Sequence, residues 1–225
     1  MLSGETWAAR KMLAPKMSTN GEYWHIFKVP HAPTAYNSVS KARFSLASKN
    51  LSMFYVGDTL NGVLWETVLR DVEPDDALNV DIDVSSLAGM RAVKLRLLDA
   101  ELAVLDLRQP GLRGAGFGPS SREAVEVARL IATPSHDETH AAVATLFTDL
   151  MKAGVVDMPA LAWVSRQHSG SNVYLSYEPP GSPSSWEQVG DIVALDDDKN
   201  GHQLIHRALE EAGFQWSPAL YTAGT

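Results

Sequence analysis

The order in which strand-like and helix-like stretches follow one another is what most limits the fold of this chain. Five short runs with strand character, at 22–29, 51–57, 77–84, 90–98 and 102–107, come first. Two consecutive helical patterns follow at 121–132 and 136–154, and then three more strand-like runs at 158–165, 171–178 and 189–195. Strands therefore cluster towards both ends with helices between, and regular βαβ alternation is missing. That order predicts a single α+β domain built on one mixed, mostly antiparallel sheet with surrounding helices. The expected divisions are an N-terminal arm (1–21), the domain itself (22–215) and a C-terminal tail (216–225).

Local signals support the assignments. "EYWHIFKV" (22–29) is aromatic and β-branched, and Pro30 closes it. "LSMFYVG" (51–57) reads as a buried strand, after which Asp58 or Thr59 can cap a helix carrying Leu60, Val63, Leu64 and Val68 at helical spacing. "ALNVDIDV" (77–84) and "MRAVKLRLL" (90–98) alternate apolar with polar, as half-buried strands do. "MPALAWVS" and "SNVYLSYE" read as a strand pair around the polar connection "RQHSG". "RQPGLRGAGFGPSS" reads as a long glycine-rich loop and "PPGSPSSW" as a surface loop. "GHQLIHRALEEAGF" is the last helix.

Charge and composition exclude several functions. The net charge of −8 is the opposite of a nucleic-acid-binding footprint, so no direct nucleic acid partner is expected. With no cysteine there is no disulfide, thiolate metal site or cysteine nucleophile. No apolar run reaches the ~18 residues of a membrane span, and the N-terminus lacks the order of a secretion signal. A cytoplasmic protein is the expectation.

Most short motifs dissolve on inspection. "HDETH" sets His136 and His140 on one helix face, but a zinc-protease helix needs glutamate where Asp137 stands, so a solvated helix start is the better reading. "HQLIH" has no carboxylate between its histidines, and "EPDDALNVDID" and "LDDDKNG" miss the order of a calcium loop. No metal is expected. "RGAGFGPSSREA" stands between a strand and a helix, the context of a phosphate cradle, yet it fails the dinucleotide fingerprint at Pro119 and lacks the Walker lysine. The G-x-S-x-G elbow of serine hydrolases does not occur.

Four polar residues in apolar settings remain. Arg43 precedes Phe44, Tyr55 follows Phe54 in a buried strand, Glu66 follows Trp65, and Ser165 ends the run "ALAWV". Polar groups at the ends and faces of buried elements are the material of a ligand cleft.

These residues carry a resemblance. The ordered series "IFKV", "ARF", "MFYV", "GVLWET", "PALAWVS" and "SNVYLSYE" resembles the RES domain, a family named for an arginine, a glutamate and a serine in that order. The likeness spans about residues 23–178. It departs in two places: "ARF" lacks the usual glycine, and Lys28 stands where the family carries arginine. The resemblance implies a fold similar to the ADP-ribosyltransferases and activity on NAD as substrate. That activity would be hydrolysis or phosphorolysis of the nicotinamide–ribose bond, or ADP-ribosylation of a protein, and the implied partner is a helix-turn-helix antitoxin. It also implies roles. Glu66 would stabilise charge on the ribose, with Arg43 and Lys28 on the diphosphate and Tyr55 on the nicotinamide ribose. Ser165 would orient a hydroxyl or amide, and Asn172 would assist. The other class left open is a non-catalytic binding module of the same fold.

Overall fold

The computed structural model describes residues 17–18, 20–98 and 102–217. The expected arm and tail therefore lie mostly outside the described residues. Met17, at the end of the arm, is buried, and Trp216 belongs to a strand, so both pack with the domain.

The described residues form an α+β fold with an eight-stranded sheet and five α-helices. In chain order the elements begin with β1 (Glu22–Lys28), β2 (Ser52–Gly57), α1 (Leu60–Glu66), β3 (Asn79–Val80), β4 (Met90–Leu97) and β5 (Val104–Asp106). The middle of the chain gives α2 (Gln109–Gly114), α3 (Arg122–Ala132) and α4 (His136–Lys152). After these come β6 (Ala160–Val164), β7 (Asn172–Glu178), β8 (Trp186–Gln188), β9 (Val193–Ala194), α5 (Gly201–Glu211) and β10 (Gln215–Trp216). The sheet runs β5-β6-β7-β2-β1-β4-β8, with β9 also paired to β4. Every pair in it is antiparallel except β5–β6. The mixed, mostly antiparallel sheet is thus present.

Helices start where short polar side chains satisfy free amides. Thr59, Ser121 and Ser135 accept from the amides of Gly62, Ala124 and Glu138, capping α1, α3 and α4. Asp137 and Glu138 occupy the first turn of α4, where the helix dipole favours acids. Gly154, in the left-handed region at φ 83°, follows its end.

Alternation along the strands builds two unlike faces. Phe54, Val56, Val93 and Leu95 pack on one face beneath Trp186 and Met17. The other face carries two separate helical groups. At one end α3 and α4 bring Val127, Leu130, Val143 and Leu146 onto Met53, Leu161 and Leu175. At the other end α1 and α5 bring Leu64, Ile205 and Leu209 onto Ala92 and Ile26. A trough is left between the groups.

The sheet itself opens at that trough. β1 pairs with β4 along its whole length, from Glu22↔Arg96 to Lys28↔Met90, but meets β2 only at Trp24↔Gly57. Beyond that point the strands diverge. The loop after β1 enters the gap, where Asn37 exchanges both backbone hydrogen bonds with Met53. The His25 imidazole spans the gap as well, its Nδ1–H donating to the Tyr55 carbonyl at 2.7 Å.

Four local expectations are corrected. The glycine-rich stretch contains α2 and is anchored by buried Leu112 and Phe117. The 77–84 run is a strand only at Asn79–Val80, because Gln215–Trp216 is its sole and short partner and Asp83 caps a 3-10 turn beyond it. The 189–195 run is a strand only at Val193–Ala194. The proline- and serine-rich loop leads instead into β8 at Trp186–Gln188, paired with β4. Among the described residues no helix is long and apolar enough to cross a membrane.

Candidate active site

A cleft of about 1170 Å³ fills the trough, somewhat beyond the ~300–1,000 Å³ usual for small-molecule sites. Its floor is the sheet: Ile26, Tyr55, Leu175 and Trp163. One wall is the end of α1 with Glu66, Thr67 and Arg70, joined by Arg166 and Gln167 of the β6–β7 turn. The facing wall is Arg43 with the α3–α4 junction at Pro134 to Asp137, and the loop after β1 forms the rim.

Glu66 is the last residue of α1, and its carboxylate is held by residues a hundred positions later. Ser165 Oγ donates to Glu66 Oε1 at 2.6 Å, and the Arg166 amide donates to the same oxygen at 2.8 Å. Ser165 is 3 % exposed, and its hydroxyl oxygen accepts from the amides of His168 and Gln167. With its acceptor side filled by two amides, the hydroxyl has its proton free for the carboxylate. Glu66 Oε2 makes no hydrogen bond among the described residues, so one oxygen is fixed and the other is uncommitted in a residue that lines the cleft.

The same turn reaches the other end of α1. His168 Nδ1 lies 2.8 Å from Ser171 Oγ, which is hydrogen-bonded to Thr59 Oγ1, the N-cap of α1. Residues 165–171 therefore grip both ends of the helix that carries Glu66. The approach is close: a Cβ on Gly62 would stand 2.5 Å from the Ser171 Cβ.

Arg43 reaches the cleft but is already engaged. Its Nη1 donates to the Leu130 carbonyl at 2.7 Å and its Nη2 to the Thr133 carbonyl at 2.8 Å, closing the C-terminal end of α3. It is 9 % exposed. Burial pushes its pKa down, the Glu66 charge opposes this, and the nearby Arg166 charge adds to it. His136 Nδ1 and His140 Nε2 donate to the carbonyls of Lys41 and Ala42, so the two histidines of "HDETH" anchor the segment leading into Arg43.

Tyr55 lies on the floor between these groups. Its hydroxyl is buried without a hydrogen-bond partner, and so is Trp163 Nε1 beside it. Burial, reinforced by the Glu66 charge and countered by Arg43, holds the phenol well above its ordinary pKa, so the proton stays on. Unpartnered buried donors are uncommon in folded proteins, and among the described residues Trp216 Nε1 is another, away from this cleft.

Lys28 is exposed at the end of β1 and lines the cleft, on the Ile26 side of the strand. Asn172 does not. It heads β7 with its side chain on Asp58 Oδ2 at 2.6 Å and its amide on Asp58 Oδ1, a clamp at the turn after β2. The glycine-rich stretch 111–118 also lies outside the cleft lining, which removes it as a phosphate cradle for this site.

Of the residues singled out in the sequence, Glu66, Arg43, Tyr55 and Lys28 line one cleft, whereas Ser165 stands behind the lining and acts on it through Glu66; His25, Trp163 and Arg166 were missed. Arg166 was hidden in a polar connection, and its one signal was adjacency to Ser165. The four lining cations, Lys28, Arg43, Arg70 and Arg166, outnumber the three carboxylates Glu66, Asp71 and Asp137 on a chain whose net charge is −8. Such a local excess suits an anionic ligand. Comparison of the chain with protein-family models, with curated proteins and with solved structures finds no match.

Proposed function

We propose that the chain is an NAD-consuming enzyme of the RES type that breaks the nicotinamide–ribose bond. The observation that carries this reading is the 2.6 Å hydrogen bond from buried Ser165 to Glu66, a residue that lines one cleft together with Arg43 and Tyr55. It joins residues singled out by the resemblance for their chemistry, 99 positions apart in the chain.

The geometry suits this chemistry. As the glycosidic bond breaks, its electron pair passes to the nicotinamide nitrogen, neutralising the pyridinium, and positive charge develops on the ribose. A carboxylate already oriented for that charge lowers the barrier without reorganising, which is the economical form of electrostatic catalysis. The hydrogen bonds from Ser165 and Arg166 do that orienting. Water or phosphate then adds to the ribose carbon and releases its proton to solvent. A protein nucleophile in the same place would make the reaction ADP-ribosylation. A helix-turn-helix antitoxin as partner and action in the cytoplasm belong to the same proposal.

The test is incubation of the purified protein with NAD, with and without phosphate, and identification of the products, alongside Glu66→Gln. The glutamine oxygen still accepts from Ser165 and Arg166, so only the charge is lost. The expected result is nicotinamide release by the wild type and loss of at least ~100-fold in kcat for Glu66→Gln, in the range of other preorganised electrostatic groups. Wild-type turnover by Glu66→Gln would remove the catalytic assignment.

A further inference from the structure

The cations of the cleft differ in how committed they are. Arg43 spends two N–H groups on the Leu130 and Thr133 carbonyls and is buried. Arg70 is engaged by the adjacent Asp71 carboxylate, Nη2 to Oδ2 at 3.1 Å. The side chains of Arg166 and Lys28 make no ion pair or hydrogen bond among the described residues, and both are exposed at the cleft. Arg166 has a further distinction, because its amide fixes Glu66 Oε1 at 2.8 Å. Its Cα is therefore held beside the carboxylate while its guanidinium remains available. A planar guanidinium can meet a phosphate with two parallel hydrogen bonds, whereas lysine offers a point charge.

We infer that Arg166 is the principal diphosphate contact of this cleft, with Lys28 as a second, mobile cation, and that Arg43 is a positioning residue that shapes the wall. The inference rests on the reading of the cleft as a dinucleotide site and assigns the anionic arm within it. One short turn then serves two ends of the ligand: its backbone aims the carboxylate at the ribose, and its side chain holds the charge next door. Distance between the two is set by a single residue, which ties ligand placement to carboxylate orientation.

The experiment measures binding of ADP and of adenosine by calorimetry, and NAD turnover, for wild type, Arg166→Gln, Arg166→Lys and Arg113→Gln. Arg113 is exposed on α2 outside the cleft and serves as an equal loss of charge. Arg166→Gln is expected to weaken ADP binding at least tenfold, to leave adenosine binding unchanged, and to raise the NAD KM more than it lowers kcat. Arg166→Lys should recover part of the loss and Arg113→Gln should behave as wild type. Unchanged ADP affinity in Arg166→Gln, or an equal loss in Arg113→Gln, overturns the assignment. Wild type that turns over NAD while Arg166→Gln matches it in KM keeps the proposed function and sinks this inference. Wild type that binds ADP through Arg166 yet leaves NAD intact does the reverse. A protein that binds neither nucleotide overturns both.

Discussion

His25 sits in the opening of the sheet, 9 % exposed, 4.4 Å from the Phe54 ring centroid and bonded through Nδ1 to the Tyr55 carbonyl. Burial moves its pKa down from 6.5 to about 4, the hydrogen bond to Tyr55 opposing the shift only in part. The neutral ring is the folded form at pH 7. The unfolded chain takes up the proton first as pH falls, so stability drops from about pH 6.5 and the loss is complete near pH 4. At 1.36 kcal/mol per pKa unit, the difference amounts to about 3 kcal/mol. The perturbation that isolates it is His25→Asn, whose amide nitrogen can occupy the place of Nδ1 and donate to the same carbonyl but cannot titrate. Urea unfolding would be followed from pH 7.5 to 4 for both proteins. Carboxylates contribute equally to the two curves, so the wild type should lose about 3 kcal/mol more than His25→Asn over that window. Parallel curves would refute the reasoning, since His25 would then titrate alike in both states. At neutral pH the two proteins should differ far less, because the cross-gap hydrogen bond is kept.

Ser165→Ala should cost about 1–3 kcal/mol, because it leaves the amides of Gln167 and His168 without their acceptor. If the proposed activity holds, kcat should fall with little change in KM, and a Ser165→Thr protein should recover part of it; a change in KM alone would count against an orienting role. Gly62→Ala should destabilise by about 1–3 kcal/mol through overpacking against Ser171, while Gly114→Ala, which meets nothing within 4 Å, should be neutral or stabilising. Thermal unfolding of the pair checks this, and equal melting temperatures would show that the turn yields freely.

Much of the fold was legible because the signals were local. The aromatic and β-branched run "EYWHIFK", the cap at Thr59, and the β6–β7 pair around "RQHSG" each rest on a few neighbouring residues. What escaped depends on distant partners. Trp186–Gln188 is a strand because β4 offers an edge, and Asn79–Val80 because Gln215–Trp216 returns to it. The divergence of β1 from β2 has no local mark at all; it follows from a loop that competes for Met53. The site shows the same division. Residue order placed Glu66, Ser165 and Arg43 together as candidates, but only the geometry shows that Arg43 closes α3 and that Arg166 supplies an amide to Glu66.

The grip of residues 165–171 on α1 also sets a schedule. Glu66 leaves the ribosome about a hundred residues before the serine and amide that orient it, and β2 before it has no long partner until β7 is made. Domains complete their distant pairings only as the later chain emerges. A growing chain that has already synthesised the carboxylate and Arg43 thus carries them unassembled until the turn at 165–171 has emerged. The oriented carboxylate comes into being only once that turn has been made.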